Sequence, residues 1–256
     1  MEVAIRHPQN MRREEYQNMA ALDRRHWFFV GMKRIQMSIL ESYYKDARNL
    51  KILDAGSGTC WLTQALAKYG EVTALDISEE ALRVCRERGI QNLVQSDVAA
   101  MPFEDVSFDL IVCSEVLYHQ YIVDDTAVMK EFLRVLKPGG RVLVKVPAHE
   151  YLRSAHDTIN LTRHRYEPQE LRQLFTRNGF AIEKVTYANF FLYPFVYLVR
   201  RFSRVSDAQS DIQETGSLLN WFLLNVLSLE AWLIGKCSIA LPEGSSLIGV
   251  GRKGIM

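Results

Sequence analysis

The chain has 256 residues, of which 48% are hydrophobic and 24% charged, and its 31 basic side chains nearly balance 30 acidic ones. This composition is typical of a folded globular protein and excludes the disordered and fibrous classes. The formal net charge of +1 gives no basic footprint for a nucleic-acid backbone, so no nucleic-acid partner is expected.

The cysteines stand far apart in the sequence, at Cys60, Cys85, Cys113 and Cys237, and form no Cys-x-x-Cys pair. This spacing predicts neither a zinc site nor a disulfide framework, and it favours a reducing, cytoplasmic compartment. The charged N-terminal residues lack the apolar core of a signal peptide, so export by that route is not expected.

Residues 11–46 place apolar side chains at helical spacing among charged ones, which predicts one or two amphipathic helices in front of the main fold. From residue 51 onward, short apolar runs alternate with helical stretches. Such alternation is typical of a parallel sheet covered by crossover helices, because buried strands need apolar side chains on both faces. The sequence therefore predicts an α/β fold.

Residues 190–241 form an apolar stretch that a parallel-sheet unit does not require. Its second half, from Ser217, predicts an amphipathic helix with an unusually wide apolar face. Neither apolar part reaches ~18 uninterrupted apolar residues, so a membrane span is not expected. With Arg200, Arg201 and Arg204 nearby, the stretch fits a substrate lid, a dimer interface or a membrane-surface element.

These patterns divide the chain into four parts. An N-terminal helical lid covers residues 1–48, and a cofactor-binding core covers 49–189. The hydrophobic helical insert covers 190–241, and residues 242–256 supply the final strand of the core.

A glycine loop joins the first predicted strand to the first core helix, in the segment LDAGSGT at residues 53–59. Gly56 and Gly58 allow a sharp turn and the close approach of a ligand, and the helix N-terminus adds partial positive charge. Asp76 ends the next strand, twenty residues after Gly56, where a carboxylate accepts the hydroxyls of a ribose. Asp97 ends the third strand-like run. Together these features predict a nucleotide-like cofactor.

The loop differs from a dinucleotide-binding loop. The pattern G-x-G-x-x-G would place its third glycine at position 61, which is Trp61. Asp54 precedes the loop, where a carboxylate would repel a pyrophosphate but attract the amino group of a methionine moiety. The sequence therefore favours a cationic cofactor, a sulfonium, over NAD.

Five segments together resemble the type 11 group of class I S-adenosylmethionine-dependent methyltransferases. They are LDAGSGT, ALDIS, QSDVAAMPF, SFDLIVCSEVLYH and EFLRVLKPGGRVLVKVP, in the family's order across residues 51–147. The resemblance implies a doubly wound, Rossmann-like sheet of seven strands whose last strand, SLIGVGRK, runs antiparallel. One position departs from the pattern, since Cys60 stands where the family often has a third glycine.

The resemblance also implies a site for S-adenosyl-L-methionine, whose product is S-adenosyl-L-homocysteine. Gly56 and Gly58, with Ser57 between them, line the methionine part, Asp54 faces its amino group, and Asp76 holds the ribose. The residues placed beside the adenine or beneath the methionine are Ile77, Asp97, Val98 and Ser114. Simple core packing is an equal alternative for Ile77 and Val98.

Candidates for a general base follow the fourth and fifth strands, because ligands bind at the carboxyl ends of strands in a doubly wound sheet. The candidates are His119, His156, His164 and Tyr166, with Tyr118 and His149 nearby. The alternative for His119 is that it only ties down a helix. The histidine spacing matches no metal motif, so no metal is expected. Trp27 resembles an aromatic lid that either caps the cofactor or substrate or packs in the core.

The sequence thus predicts methyl transfer to an O or N atom of a small, hydrophobic or aromatic acceptor. The positions after the fourth strand, Ser114 to Leu117, lack the [Asp/Asn]-Pro-Pro-[Tyr/Phe] run of amino-methylating DNA enzymes. A quinone-type C-methyltransferase is the alternative within the class, and a cofactor-binding protein without activity is the alternative outside it. The predicted location is cytoplasmic, with membrane contact or a homodimer formed through residues 190–241.

Overall fold

The computed structural model describes residues 13–154, 157–158, 160–202 and 215–255. His156, one of the base candidates, and Arg204 lie outside the described residues.

The described strands form one sheet of seven, in the order β3-β2-β1-β4-β5-β7-β6. The strands are β1 (Leu50–Ala55), β2 (Gly70–Asp76), β3 (Leu93–Gln95), β4 (Phe108–Ser114), β5 (Leu136–Pro147), β6 (Phe180–Ala188) and β7 (Ser246–Lys253). The last strand, β7, is antiparallel to both of its neighbours, while the other pairings are parallel. The α/β class and the antiparallel last strand predicted from the sequence are confirmed.

The described helices flank this sheet or precede it in the chain. They are α1 (Arg13–Leu22), α2 (Trp27–Tyr44), α3 (Trp61–Leu66), α4 (Glu79–Glu87), α5 (Asp125–Val135), α6 (Pro168–Arg177), α7 (Tyr193–Phe202) and α8 (Ser217–Gly235), with a 3-10 turn at Glu150–Leu152. Their ends follow ordinary capping chemistry. Ser78 accepts the Ala81 N–H through its hydroxyl at the start of α4, and Pro168 opens α6.

The sheet order fixes where a ligand can bind. The chain crosses from β1 to β2 in one direction along the sheet, and from β4 to β5 in the other. Right-handed crossovers therefore place α3 and α5 on opposite faces. In doubly wound sheets a ligand binds at the carboxyl ends of the strands at such a switch point, which here lies next to the loops that follow β1 and β4.

The N-terminal helix α2 and the insert helix α8 pack closely against each other. A Cβ on Gly31 would come within 2.3 Å of Leu227 Cδ1, so only glycine allows α8 to lie this near. The Trp27 backbone N–H donates to Asn220 Oδ1 at 2.8 Å, and Arg34 donates to the Ser228 hydroxyl at 2.6 Å. Segments from opposite ends of the chain therefore form one layer.

A buried carboxylate holds α8 to the end of β6. Glu230 accepts the backbone N–H groups of Asn189 and Phe191 at 2.7 and 2.9 Å. Burial raises the pKa of Glu230, and these backbone donors oppose the rise. The carboxylate thereby satisfies backbone groups that no strand partner takes at the turn into α7.

The other side of the insert is exposed and apolar. In α8 the exposed side chains include Leu218, Trp221, Phe222 and Trp232, and in α7 they include Phe195, Leu198 and Val199. Within the described residues, α8 is the one helix long and apolar enough to cross a membrane by length and composition. Its close packing on α2 makes it an element of this fold.

Candidate active site

The glycine loop after β1 adopts a backbone that only small residues tolerate well. Gly56 and Gly58 have φ values of +80° and +51°. A Cβ on Gly56 would lie 2.2 Å from Val116 Cγ2, so the loop after β4 rests directly on the glycine loop. A Cβ on Gly58 would meet no atom within 4 Å, which leaves open space for a ligand beside the backbone.

The two acidic residues predicted from strand ends are buried beside this loop. Asp54 accepts the Thr63 hydroxyl at 2.5 Å, and Asp76 accepts the Gly58 N–H at 2.8 Å and the Ser78 N–H at 2.9 Å. Neither carboxylate has a basic partner among the described residues. Burial raises the pKa of both groups, that of Asp54 to about 7. Two buried carboxylates without a cation suit a cationic ligand.

The remaining predicted cofactor residues surround the same strand ends. Ser57 is buried and donates its backbone N–H to Leu75 O at 3.0 Å. Ile77 is half-buried, Val98 is buried, and Asp97 is exposed, where its carboxylate accepts the Ala99 N–H at 2.8 Å. Ser114 ends β4. These placements are compatible with the predicted contacts, which stay predictions.

A disulfide joins the glycine loop to α4, so the prediction of no disulfide framework was wrong. Cys60 and Cys85 are bonded and buried, with Cα atoms 5.2 Å apart. Their separation of 25 residues concealed the pair, because α3 and α4 begin above neighbouring strands and bring distant positions together. Cys60 has a φ of +57°, which explains why this position suits a glycine.

The N-terminal segment is fixed above the cofactor loop by a buried ion pair. Arg88 forms a bidentate contact with Asp23, at 2.8 and 3.1 Å, and also donates to Ala20 O at 2.9 Å. Asp23 further accepts the Thr59 hydroxyl at 2.6 Å. These contacts attach the N-terminal segment to the loop after β1. Sequence reasoning missed this network because its members come from three separate segments.

A second buried charge lies at the ends of β4 and β5. Lys145 is 2% exposed, and its ammonium contacts the Glu115 carboxylate and lies 5.8 Å from the centre of the Phe28 ring. Glu115 is only partly buried and has a φ of +62°, which is strained for a residue with a side chain. Neither residue was among the sequence candidates. A lysine within the apolar run at residues 142–147 was the available signal.

His119 is partly enclosed near the same strand end. It stacks on Tyr121 at 4.8 Å and on Tyr118 at 5.7 Å, and its Nδ1 makes no hydrogen bond with the described residues. Burial lowers the pKa of His119, so the neutral imidazole is favoured at pH 7. A neutral ring with an unpaired nitrogen has the form a general base needs, and the catalytic role of His119 stays a prediction.

His164 and Tyr166 lie together where α5 and α6 begin. His164 contacts the Glu170 carboxylate at 3.2 Å and meets the Tyr166 ring edge-on at 4.8 Å. The Tyr166 hydroxyl lies 2.6 Å from an Asp125 carboxylate oxygen and 3.1 Å from Leu117 O. Burial raises the pKa of Tyr166. This hydroxyl serves as a tether between loops, and the predicted catalytic roles of both residues remain untested.

His149 is the centre of a separate aromatic cluster. Its ring stacks between Tyr151 and Tyr187 at 4.7 and 5.1 Å, and its nitrogens contact the carboxylates of Glu167 and Glu243. With both nitrogens engaged, His149 anchors the ends of β5, β6 and β7.

The shape and the charges of this site fit S-adenosylmethionine. Open space beside Gly58 and the buried carboxylates Asp54 and Asp76 provide a cradle and the charge that a sulfonium and an ammonium require. Trp61 takes the position where a dinucleotide loop needs glycine. The fold and these side chains agree with what the resemblance to class I S-adenosylmethionine-dependent methyltransferases implies.

Comparison with known proteins finds methyltransferases that match part of the chain. Residues 53–144 match the type 11 methyltransferase domain family. The chain is 32% identical to a ubiquinone biosynthesis O-methyltransferase of Xanthomonas oryzae pv. oryzae over 148 residues, 53% of this chain and 61% of the relative. It is 36% identical to the ubiquinone/menaquinone biosynthesis C-methyltransferase UbiE of Shewanella halifaxensis over 122 residues, 42% of this chain and 48% of the relative.

A solved SAM-dependent methyltransferase of Thermotoga maritima shares the fold, with a TM-score of 0.59 and 18% identity across 94% of this chain and 95% of that one. Residues 53–144 therefore carry a methyltransferase domain, and the chain has the fold of this solved methyltransferase. The chain spans between about half and three-fifths of the length of the two curated relatives.

Proposed function

We propose that the protein transfers a methyl group from S-adenosyl-L-methionine to an O or N atom of a small, hydrophobic or aromatic acceptor. The observation that carries the proposal is the glycine loop flanked by Asp54 and Asp76, both buried and without a basic partner among the described residues. The names of the curated relatives, which include an O- and a C-methyltransferase, support the same reaction class.

The bound cofactor supplies an electrophilic methyl group on a positively charged sulfur. Asp54 holds the ammonium of its methionine part, and Asp76 accepts the ribose hydroxyls. Gly56 and Gly58 let the backbone approach. Orientation of this kind is worth roughly 7 to 11 kcal/mol in well-aligned reactions, so little further catalytic machinery is required.

The acceptor enters beneath the layer formed by α2 and α8. Phe28, at the start of α2, faces the carboxyl ends of β4 and β5 through its contact with Lys145. Trp27 is fixed to α8 through Asn220 and packs against the core, which supports the packing alternative beside the predicted capping role. Apolar side chains above the site exclude water and favour an apolar or aromatic acceptor.

Calorimetry with S-adenosylmethionine, S-adenosylhomocysteine and NAD tests the cofactor. We expect both sulfur compounds to bind and NAD not to bind, and binding of NAD alone would overturn the proposal. Methyl-labelled cofactor incubated with cell extract, followed by mass spectrometry, identifies the acceptor. Label on carbon would select the C-methyltransferase alternative that the UbiE relatives support. Tight cofactor binding without any labelled product would favour the alternative of a cofactor-binding protein without methyltransferase activity.

We further propose that α7 and α8 rest on a membrane surface. Trp221 and Trp232 are exposed on α8, 65% and 54%, and indole rings prefer the membrane–water interface. Arg201 is exposed at the end of α7, where it can meet anionic headgroups. The apolar side chains would enter the interface while α8 stays packed on α2.

Flotation with vesicles of phosphatidylcholine and phosphatidylglycerol tests this contact. Trp221→Glu should abolish flotation, and Val123→Glu, at an 89% exposed position before α5, should not. Flotation that survives Trp221→Glu contradicts docking through this face of α8, and a change from dimer to monomer on light scattering would assign the face to a homodimer. The cytoplasmic location stays a prediction, and the Cys60–Cys85 bond weakens the cysteine argument for it.

A further inference from the structure

The buried ammonium of Lys145 takes no part in the proposed cofactor contacts. Lys145 lies on β5, between β4 and β7, and is 2% exposed. Lysine is almost never fully buried unless its charge is paired, because removing an ammonium from water is costly. Its contacts with charged groups in the described part of the chain are limited to Glu115. An ammonium has three N–H donors, so donors remain for a ligand.

The pair lies next to the proposed cofactor site. Lys145 is the register partner of Ser114, and the Glu115 N–H donates to Lys145 O at 2.9 Å. One residue further on, Val116 packs against Gly56 of the glycine loop. Two short steps along the chain therefore connect the ammonium to the methionine end of the cofactor cradle. This edge of the sheet is where ligands bind in doubly wound folds.

An aromatic ring and a partly exposed carboxylate flank the Lys145 ammonium. Phe28 of α2 closes one side of the ammonium at 5.8 Å. Glu115 is partly exposed and held in a left-handed backbone conformation, a kind of strain that clusters at ligand-binding and active sites. The ammonium therefore has one apolar wall and one carboxylate that a ligand can reach.

We propose that Lys145 binds the reacting oxygen of an acidic hydroxyl, of the phenol or catechol class, and that Glu115 receives its proton. This inference rests on the proposed function and deepens it by selecting oxygen as the methylated atom. The ammonium favours the developing phenolate by charge, whereas a protonated amine acceptor would be repelled.

The step balances with groups already named. The hydroxyl oxygen supplies the electron pair of the new O–C bond, and its proton passes to the Glu115 carboxylate. The C–S bond breaks and leaves its electron pair on sulfur as a neutral thioether. The step therefore needs no oxidant.

The test compares two probe acceptors of similar shape, 4-tert-butylcatechol and 4-tert-butylbenzylamine, with methyl-labelled cofactor. The wild-type protein should methylate the catechol oxygen and leave the amine unmodified. Lys145→Met should reduce kcat/KM for the catechol by about a hundredfold, the lower range for loss of one group that stabilises a developing oxyanion. Its affinity for S-adenosylhomocysteine should stay within about twofold. Lys145→Arg keeps a cation and should recover about a tenth or more of the wild-type value.

Lys253→Met is the matched control. Lys253 is also partly buried, but it donates to Leu133 O and Leu136 O at the opposite edge of the sheet, so catechol turnover should be unchanged. If Lys145→Met does not fold, Glu115→Gln carries the test, since losing the proton acceptor should lower kcat more than it raises KM.

The possible results separate the two proposals. Failure of the wild-type protein to bind S-adenosylhomocysteine overturns the proposed function itself. Binding with no transfer to the catechol, equal transfer to the amine, or undiminished turnover in Lys145→Met with intact binding each overturn the Lys145 assignment and leave the cofactor proposal standing.

Discussion

Cofactor binding is predicted to release a proton from Asp54 near neutral pH. Burial raises the pKa of Asp54 to about 7, the Thr63 hydroxyl opposes the rise, and the nearby charge of Asp76 adds to it. The ammonium of the cofactor's methionine part stabilises the ionised carboxylate and therefore lowers this pKa on binding. Affinity should fall as the pH drops below 7, because a protonated Asp54 must first lose its proton.

The size of the effect follows from that pKa. With a pKa of about 7 in the free protein, about nine-tenths of Asp54 is ionised at pH 8 and about one-tenth at pH 6. If only the ionised form binds, Kd for S-adenosylhomocysteine rises about tenfold between pH 8 and pH 6, or about 1.4 kcal/mol. The stability of the fold depends on the ionisation of Asp54 in the opposite direction. The folded state holds the proton more tightly than the unfolded state between about pH 4 and 7, so Asp54 makes stability fall as pH rises through that range.

Titration calorimetry at pH 6, 7 and 8, in two buffers of different ionisation enthalpy, measures both Kd and the protons released. Asp54→Asn should bind more weakly, and its Kd should lose the pH dependence. Thr63→Val removes the hydroxyl donor, so the fall in affinity should begin at a higher pH. A wild-type Kd that is constant from pH 6 to 8, or an equal pH dependence in Asp54→Asn, would refute the reasoning.

Two further predictions concern the attachments of the cofactor loop. Reduction of the Cys60–Cys85 bond, which closes a loop of about 25 residues, should cost about 3 kcal/mol and lower Tm, as differential scanning fluorimetry with and without dithiothreitol would show. An unchanged Tm, with thiol titration confirming reduction, would contradict this. Arg88→Met leaves Asp23 buried without its cation and should destabilise the fold by about 3 to 5 kcal/mol in urea unfolding. Arg83→Met, at a half-exposed pair on the same helix, should cost at most about 1 kcal/mol, and equal losses in the two variants would disprove the role given to burial.

The features predicted correctly from sequence depend on neighbours along the chain. Alternating apolar runs identify the strands, and the sharp turn at Gly56 and Gly58 needs only its own residues. The positions of Asp54 and Asp76 at strand ends were predicted correctly because parallel strands end at one edge, so a strand-end carboxylate has a known place before any packing is known. The antiparallel last strand came from family resemblance and is confirmed by its pairing with β5 and β6.

The missed features depend on register and on contacts between segments far apart in sequence. Lys145 meets Glu115 because β4 and β5 pair Ser114 with Lys145, and a shift by one residue would turn the lysine to the other face. The Cys60–Cys85 bond and the Arg88–Asp23 pair arise only when helices over neighbouring strands come together. Nothing in the spacing of these residues identifies their partners.

The contact of Gly31 with Leu227 has a consequence for the design of chimeras within this family. The simplest chimera would exchange a single segment, such as the insert at residues 190–241. Here α2 comes from near one end of the chain and α8 from near the other, and their backbones approach too closely to accept an unmatched partner. If α8 of a relative were grafted alone, it would pack against an α2 that does not match it. The two helices therefore have to be exchanged as a pair.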